Sequence, residues 1–335
     1  MHALFIGVLM ILLLLLVFLS LVTGRFAIPP SELKAILLSK MFGQNEVFRS
    51  AAWTVLSRVR LPRITAAVFV GAALSVAGSA YQGIFKNPMV SPDLLGASAG
   101  SGFGAALALL LGASLNTTQF VAFLGGLGAV LLTYAISRSV SKYRESMLTI
   151  VLTGVIISSL FNALISLIKY LADPNSKLPE ITFWLMGGLA SVTLQNLPTL
   201  IVPVVLGLLP ALSLRYRLNV LTLSEDEARA MGVDTRQLRK VFVVCATLVT
   251  SASVAVSGMI GWVGLVIPHF ARMLVGSDYS RQLPTAMLLG SIYLLLIDNL
   301  SRWFFTVEVP LSVLTSLVGA PFFIYLLKRD RKGGL

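Results

Sequence analysis

The side chains able to do chemistry are few and scattered. His269 stands beside Pro268, and with Met10, Met89, Met147 and Met186 it makes a set of soft groups that could ligate haem or a metal. The only cysteine, Cys245, lies inside an apolar run, so there is no disulfide framework and no Cys-rich metal site, and the residue reads as a small buried hydrophobe. The chain has no H-E-x-x-H pair, no G-x-x-x-x-G-K-[ST] loop, and no Ser/His or paired-Asp constellation in its apolar segments. It therefore reads as having no catalytic residue, no resident metal or cofactor, and no route of its own to ATP. Asp298, Arg302 and Glu308 lie near the ends of apolar runs, not in their middles. Proton- and ion-coupled transporters keep ionisable groups at mid-membrane, because those groups carry the coupling. A self-contained secondary transporter, the competing class, lacks that support here. The remaining chemistry is that of a passage whose engine lies elsewhere.

The elements that must position these residues are membrane helices. The chain has 335 residues, 56% hydrophobic and 12% charged, where a soluble chain carries roughly 25% charged residues. A helix needs about 20 apolar residues to cross the hydrocarbon core. Uncharged runs cover Ala3–Val22, Ile64–Phe85, Leu94–Ser137, Ser146–Ile168, Ile181–Leu214, Val241–Ala271, Gln282–Ile297 and Val309–Leu327. The first exceeds the apolar core of a signal peptide and has no Lys or Arg before it, so it is expected to be a span. Leu94–Ser137 is too long for one helix and is expected to divide at Gly112 to Gln119, where Asn116, Thr117, Thr118 and Gln119 make a polar turn. Ile181–Leu214 divides into a surface segment and a span from about Leu197.

Val241–Ala271 has 31 residues and is interrupted by Gly258, Gly261, Gly264 and Pro268. As one helix it would be about 46 Å long against a core of about 30 Å. Loop charge arbitrates. The basic stretches Arg138–Arg144, Arg215–Lys240 and Lys328–Lys332 should share the cytoplasmic side. That requires two passages here, a full helix ending near Gly258 and a short one ending near Met273. The expectation is an all-α polytopic membrane protein with ten transmembrane helices and both termini in the cytoplasm.

The net charge of +12 then belongs to short loops, as membrane orientation requires, and nucleic acid is not an expected partner. One segment breaks the rule. Residues 25–63 carry Arg25, Lys34, Lys40, Arg49, Arg58, Arg60 and Arg63 against Glu32 and Glu46, yet parity puts them outside. An acidic partner docking there would explain the basic surface. On the cytoplasmic side Ser224 is a plausible N-cap for a helix of two or three turns, with Glu225, Asp226 and Glu227 in its first turn and Gly232 as its stop. Such a helix suits a groove on a partner. Clusters such as Gly71-Ala72-Ala73 and Gly96-Ala97-Ser98-Ala99-Gly100-Ser101-Gly102 allow close helix approach.

Ordered motifs carry a resemblance through nearly the whole chain. They are Arg60-Leu-Pro-Arg63, Gly71-Ala-Ala-Leu-Ser-Val-Ala-Gly78, Gln82-x-x-x-x-Asn87-Pro88, Pro92-x-x-Leu-Gly96, Trp184-x-Met-Gly-Gly188, Glu227-Ala-Arg-Ala-Met-Gly232, Gly261-x-Val-Gly-Leu-Val-Ile-Pro-His269-x-x-Arg272, Asp298-x-x-x-Arg302 and Gly319-Ala-Pro-x-Phe323. The chain resembles the permease subunits of ABC importers for iron chelates, haem and cobalamin, the FecCD type. The resemblance implies a type II ABC importer permease fold, with residues 1–335 as a single transmembrane permease domain in the inner membrane of a prokaryote. It implies a homodimer, two ATP-binding cassette subunits on the cytoplasmic side and a substrate-binding protein on the outer face.

Residue roles follow from the same resemblance. Arg60, Arg63 and Arg302 match outer arginines that pair with carboxylates of the binding protein. A coupling helix at about 222–232 brings Thr222, Ser224, Glu225, Glu227, Ala228, Arg229, Met231 and Gly232 to the ATPase. Asn87, Pro88 and Met89 match the loop that closes the cytoplasmic end of the path. Met147 and Leu148 fall where a second closing segment stands, though they are bulkier than the small polar residues common there. The Pro-His pair accompanies the family whatever its substrate, which argues against ligation by His269. The expected cargo is an iron(III)–siderophore, with haem, cobalamin and molybdate as alternatives.

Overall fold

A computed structural model describes residues 2–24, 26, 28–42, 51–140, 147–303 and 307–332. Among these there is no strand. Helix α1 (His2–Val22) is followed by α2 (Pro30–Phe42) and α3 (Ala51–Val55). The latter runs through a π-helical stretch at Leu56–Arg60 into α4 (Leu61–Phe85). A 3₁₀ turn at Pro92–Leu95 leads to α5 (Ala97–Leu110), α6 (Leu115–Val140) and α7 (Met147–Leu171). Next come α8 (Lys177–Leu185), α9 (Leu197–Ser213), α10 (Arg215–Val220) and α11 (Glu225–Ala230). The chain ends with α12 (Thr235–Ser257), α13 (Val263–Val275), α14 (Tyr279–Trp303) and α15 (Leu311–Lys332).

Ten of these are the expected membrane helices: α1, α4, α5, α6, α7, α9, α12, α13, α14 and α15. Six rods are long and apolar enough to span alone, namely α1, α3–α4, α6, α7, α12 and α14. Helix α9 reaches span length together with α10, across a 66° bend. The 14-residue α5 and 13-residue α13 are short. At 1.5 Å per residue they cover about 20 Å of a core of about 30 Å. Each is entered through broken backbone, which bilayer depth tolerates only where protein or a water-filled cavity surrounds it. Helix α12 ends at Ser257, and Gly258 takes φ +68°, a conformation that suits glycine. Trp262, at φ +71°, then starts α13 while its ring meets Phe323 edge-on. The division of 241–271 expected from loop charge is therefore present.

Helix α4 is the axle of the bundle, buried on nearly every side by α12, α13 and α14. Small residues make this possible. An alanine Cβ at Gly78 would stand 1.8 Å from the Gly264 carbonyl oxygen of α13. One at Gly71 would stand 2.2 Å from the Gly290 oxygen of α14. By contrast α1, α6 and α7 show long apolar faces, with Leu14, Leu131 and Ile156 among the exposed residues.

Two expectations are corrected. The division of 94–137 falls at the Gly112 edge of the expected range, in a turn at residues 111–114 with Gly112 at φ +72°, and Asn116–Gln119 do not make that turn. Those four residues form the first turn of α6, and Thr118 and Gln119 are buried. The helix after Ser224 has six residues, fewer than two turns. In the basic segment before Arg63, α2, α3 and the π-helical stretch order the described part. Arg25, Glu46 and Arg49 lie outside the described residues, as do Lys142 and Arg144 of the second basic stretch.

Candidate functional site

The end of the bundle bearing α10 and α11 gathers the residues expected to close the path and meet a partner. Helix α4 stops at Lys86, whose left-handed φ of 52° turns the chain into Asn87-Pro88-Met89. All three are exposed, and Asn87 Oδ1 accepts from the Met89 amide at 2.9 Å. Gln82 fastens this loop from within the bundle. Its buried amide donates to the carbonyls of Val90 and Leu265, both at 3.4 Å, and its oxygen accepts from Arg272 Nη2 at 2.9 Å. Gln82 and Arg272 stood in the motifs without a role. The signal that could have found them is a lone amide inside an apolar span, which must have a partner in a dry bundle. At the start of α7, Met147 packs on the main core while Leu148 is 65% exposed, so only the second is free to face a path.

The connection from α9 to α12 is held by local chemistry. Ser224 caps α11, its hydroxyl accepting from the Glu227 amide at 3.3 Å. Glu227 Oε2 accepts in return from the Ser224 amide at 2.8 Å, a reciprocal capping box. These bonds to Ser224 hold the Glu227 carboxyl below its usual range. Glu225 pairs with Arg239 of α12 at 3.2 Å, and Ala228 is fully buried. Thr222, Ser224, Glu225, Glu227, Arg229, Met231 and Gly232 are exposed, a small face of mixed charge that projects from the bundle. Two ties bind it to the rest. Lys86 Nζ donates to the Leu223 carbonyl. Asn219 bridges Asp278 at 2.7 Å and the Tyr279 amide at 2.8 Å. Bonds from Ser280 and Asn219 keep the Asp278 carboxyl below its usual range.

The opposite end holds the three arginines expected to face a docking protein. Arg60 and Arg63 are 3% and 4% exposed, so neither stands as a free surface charge. Arg63 Nε donates to Asp298 at 2.8 Å and its Nη1 to Glu308 at 2.9 Å. Arg302 Nε lies 3.3 Å from the same Asp298, and its Nη2 donates to Asn299. Arg60 donates to the carbonyls of Leu21 and Phe26 at the end of α1. Asp298 is fully buried, whereas the Glu308 side chain is 35% exposed. The structure thus does bring Arg63 and Arg302 together on Asp298, with Glu308 also on Arg63, two carboxylates that the sequence did not connect with them, while carbonyls hold Arg60. Three guanidinium groups against two carboxylates leave one positive charge in excess. The exposed cations nearby are Lys34 and Arg58.

Between these ends, the 3₁₀ turn with α5, helix α7 and the break between α12 and α13 line a half-open cavity of about 220 Å³, with Asn162 exposed at it. Asp93, Ser98, Ser158, Asn162 and Gly261 are among its lining residues. The soft groups do not form a comparable centre. His269 lies edge-on to Phe322, Met10 is exposed on α1, and Met89 sits in the terminal loop. Among the described residues no three His, Cys, Asp or Glu side chains converge as a metal site would need.

Comparison with known proteins adds an independent line. Residues 12–329 match the model of the FecCD transport family. The chain is 41% identical to the molybdate import system permease protein MolB of Haemophilus influenzae, over 94% of this chain and 93% of that one. It is 36% identical to a probable iron chelatin transport system permease protein of Helicobacter pylori, over 87% of each. In structure it is similar to a chain of an ABC transporter assigned to the metal-chelate type and caught in an inward-facing conformation. The TM-score is 0.86 and the identity 39%, over 97% of this chain and 99% of that one.

Proposed function

This chain belongs to the FecCD transport family, and on that premise we propose that it forms the membrane path of a binding-protein-dependent ABC importer in a prokaryotic inner membrane. The observation that carries this reading is the tie from Lys86 to Leu223. It couples a projecting capped helix to the loop that ends the path, which is what an engine acting from outside the membrane needs. Residues 1–335 act as one domain, and two copies enclose one path. Two ATP-binding subunits seat on Thr222–Gly232 and hydrolyse the ATP, so the chain itself is not an enzyme. Asn87, Pro88 and Met89 close that end, with Leu148 and its neighbour Met147 as the second closing segment. Both termini lie on the ATPase side.

A substrate-binding protein docks at the opposite end through Arg60, Arg63 and Arg302. Because Arg63 and Arg302 are paired internally, a docking carboxylate has to displace Glu308, the partly exposed acid, from Arg63. Lys34 and Arg58 supply the exposed charge that steers the encounter.

The cargo reading is an iron(III)–siderophore, in line with the metal-chelate type of the structural relative and the iron chelatin permease. Molybdate is the second reading, favoured by the identity to a molybdate permease over nearly the whole chain. Reconstitution in proteoliposomes tests both levels. With ATPase subunit, binding protein and ATP present, uptake of ferric siderophore or of molybdate is expected. Uptake that persists without the ATPase subunit would overturn the importer reading in favour of a self-contained carrier. Uptake of molybdate alone would overturn the siderophore reading and leave the importer intact.

A further inference from the structure

The cavity of about 220 Å³ between α5, α7 and the 258–262 break is lined by polar groups that the bundle leaves without partners. A serine inside a membrane helix usually bonds back to the carbonyl four residues earlier. Ser159 does so to Val155 at 2.9 Å, and Ser166 to Asn162 at 3.0 Å. Ser158 does not, and the Asn162 carboxamide also has no intramolecular partner among the described residues. Both side chains line the cavity. Asn162 is the sixteenth of the 25 residues of α7, so it stands within about 5 Å of the helix midpoint.

An unpaired amide facing hydrocarbon at that depth costs several kcal/mol. Water or a ligand with oxygen atoms removes that cost. Across the cavity Ser98 donates to Asp93, which orients that carboxylate and uses the Ser98 proton. The free donors are therefore the Ser158 hydroxyl and the Asn162 amide. The Asp93 carboxylate and the Asn162 carbonyl are acceptors. Among the described residues no Lys, Arg or His lines the space. Recognition there rests on hydrogen bonds without an opposing cation, and such contacts are individually modest. A path needs that, since a group bound on the way through must also leave.

The geometry points to Ser158 and Asn162 as a hydrogen-bonding subsite inside the path, taking oxygen atoms of the passing substrate. Hydroxyl and carbonyl oxygens of a ferric chelate share this chemistry, whereas an oxyanion would meet the Asp93 carboxylate with no cation beside it. The inference rests on the importer reading, because it requires α7 to face a path. A lipid-facing α7 would leave the same two groups in hydrocarbon.

Two measurements on the complete assembly, with ATPase and binding protein, test it. In the first, Ser158→Ala with Asn162→Ala removes both groups without adding bulk. Uptake of ferric hydroxamate and of molybdate is measured for wild type and variant, with basal ATP hydrolysis as the control for assembly. Uptake of whichever substrate wild type carries should fall about tenfold, the loss expected for two hydrogen bonds, while ATP hydrolysis is retained. Wild-type uptake with hydrolysis retained in the variant overturns the proposal.

In the second, Asn162→Cys in a Cys245→Ala background is treated with a water-soluble thiol reagent. Modification should occur and should be slowed several-fold by the transported substrate. An inert cysteine, or one that neither substrate protects, also overturns the subsite. If the wild-type assembly carries neither substrate, the cargo reading fails while the importer reading stands, and an inert Asn162→Cys still overturns the subsite.

Discussion

Asp298 is a carboxylate with no exposed surface, and its stability rests on Arg63 and Arg302. Removing one partner of a buried pair leaves a charge uncompensated and typically costs about 3–5 kcal/mol. Arg63→Met should therefore lower the thermal unfolding temperature of the purified protein markedly. Asp298→Asn in the same chain should recover part of the loss. Equal unfolding temperatures for wild type and Arg63→Met would show that the cluster contributes little. Glu308 makes the opposite prediction. Glu308→Gln frees one side of Arg63 without emptying the site, so association with the binding protein should tighten, by about tenfold if one charge-assisted bond is released. Unchanged or weaker association would remove the exchange model of docking. The sequence offered the arginines as a motif but not their environment. Arg63 and Asp298 are 235 positions apart, and nothing in local pattern shows which charges a bundle folds against each other. Ser158 and Asn162 were illegible for the same reason. A polar residue in an apolar run is visible, but whether it bonds back to its own helix or faces a cavity depends on neighbours distant in sequence.

Elements were legible wherever length and charge constrain them. The ten spans, the division at Gly258 and the cap at Ser224 all follow from rules that act within one segment. That the turn in 94–137 falls at the Gly112 end of the expected division, and not on its polar residues, has a physical cause. Asn116, Thr117, Thr118 and Gln119 look like a loop by polarity, yet Gly112 has the conformational freedom to reverse the chain. Once it does, the four polar residues fall into a helix whose first turn packs on its neighbours. The short α11 shows how much a local motif can hold. With six residues it is too short to be stable by propensity, so its cap matters more than in a long helix. Ser224→Ala should cost about 1 kcal/mol of local stability and reduce co-purification of the ATPase subunit. Faster amide exchange at Glu227 and Ala228 would report the loss, and unchanged exchange would sink the role. The pH dependence has a definite sign. Because Glu227 is held below its usual range when folded, its contribution is complete above the unfolded pKa, about 4.3. It is lost as pH falls through the lower folded value. Protection of α11 should thus be flat from neutral pH down to about 5 and decline only in stronger acid.

At the scale of the whole molecule the bundle must be oriented, and orientation decides which partner meets which end. The loop-charge rule predicts α10–α11 and both termini in the cytoplasm, against the basic residues before Arg63. The structure reduces that conflict without removing it. Arg63 is buried against two carboxylates and so presents little net charge to a membrane surface, while Arg60 is held only by carbonyls and Lys34 and Arg58 remain exposed. A charge that is internally compensated has little field to interact with anionic lipid or the insertion machinery. The rule for exposed Lys and Arg then loses one of its counterexamples. The lone Cys245 is buried in α12 and is replaceable by alanine, which makes the arrangement directly testable. In that background single cysteines at Ser176, before α8, and at Met231, after α11, sit at exposed positions on opposite ends. A membrane-impermeant maleimide added to intact spheroplasts should label Ser176→Cys and leave Met231→Cys unmodified until the membrane is opened. The reverse pattern would invert the molecule, put α11 beyond reach of any cytoplasmic ATPase, and remove the mechanical premise of an importer driven from that side.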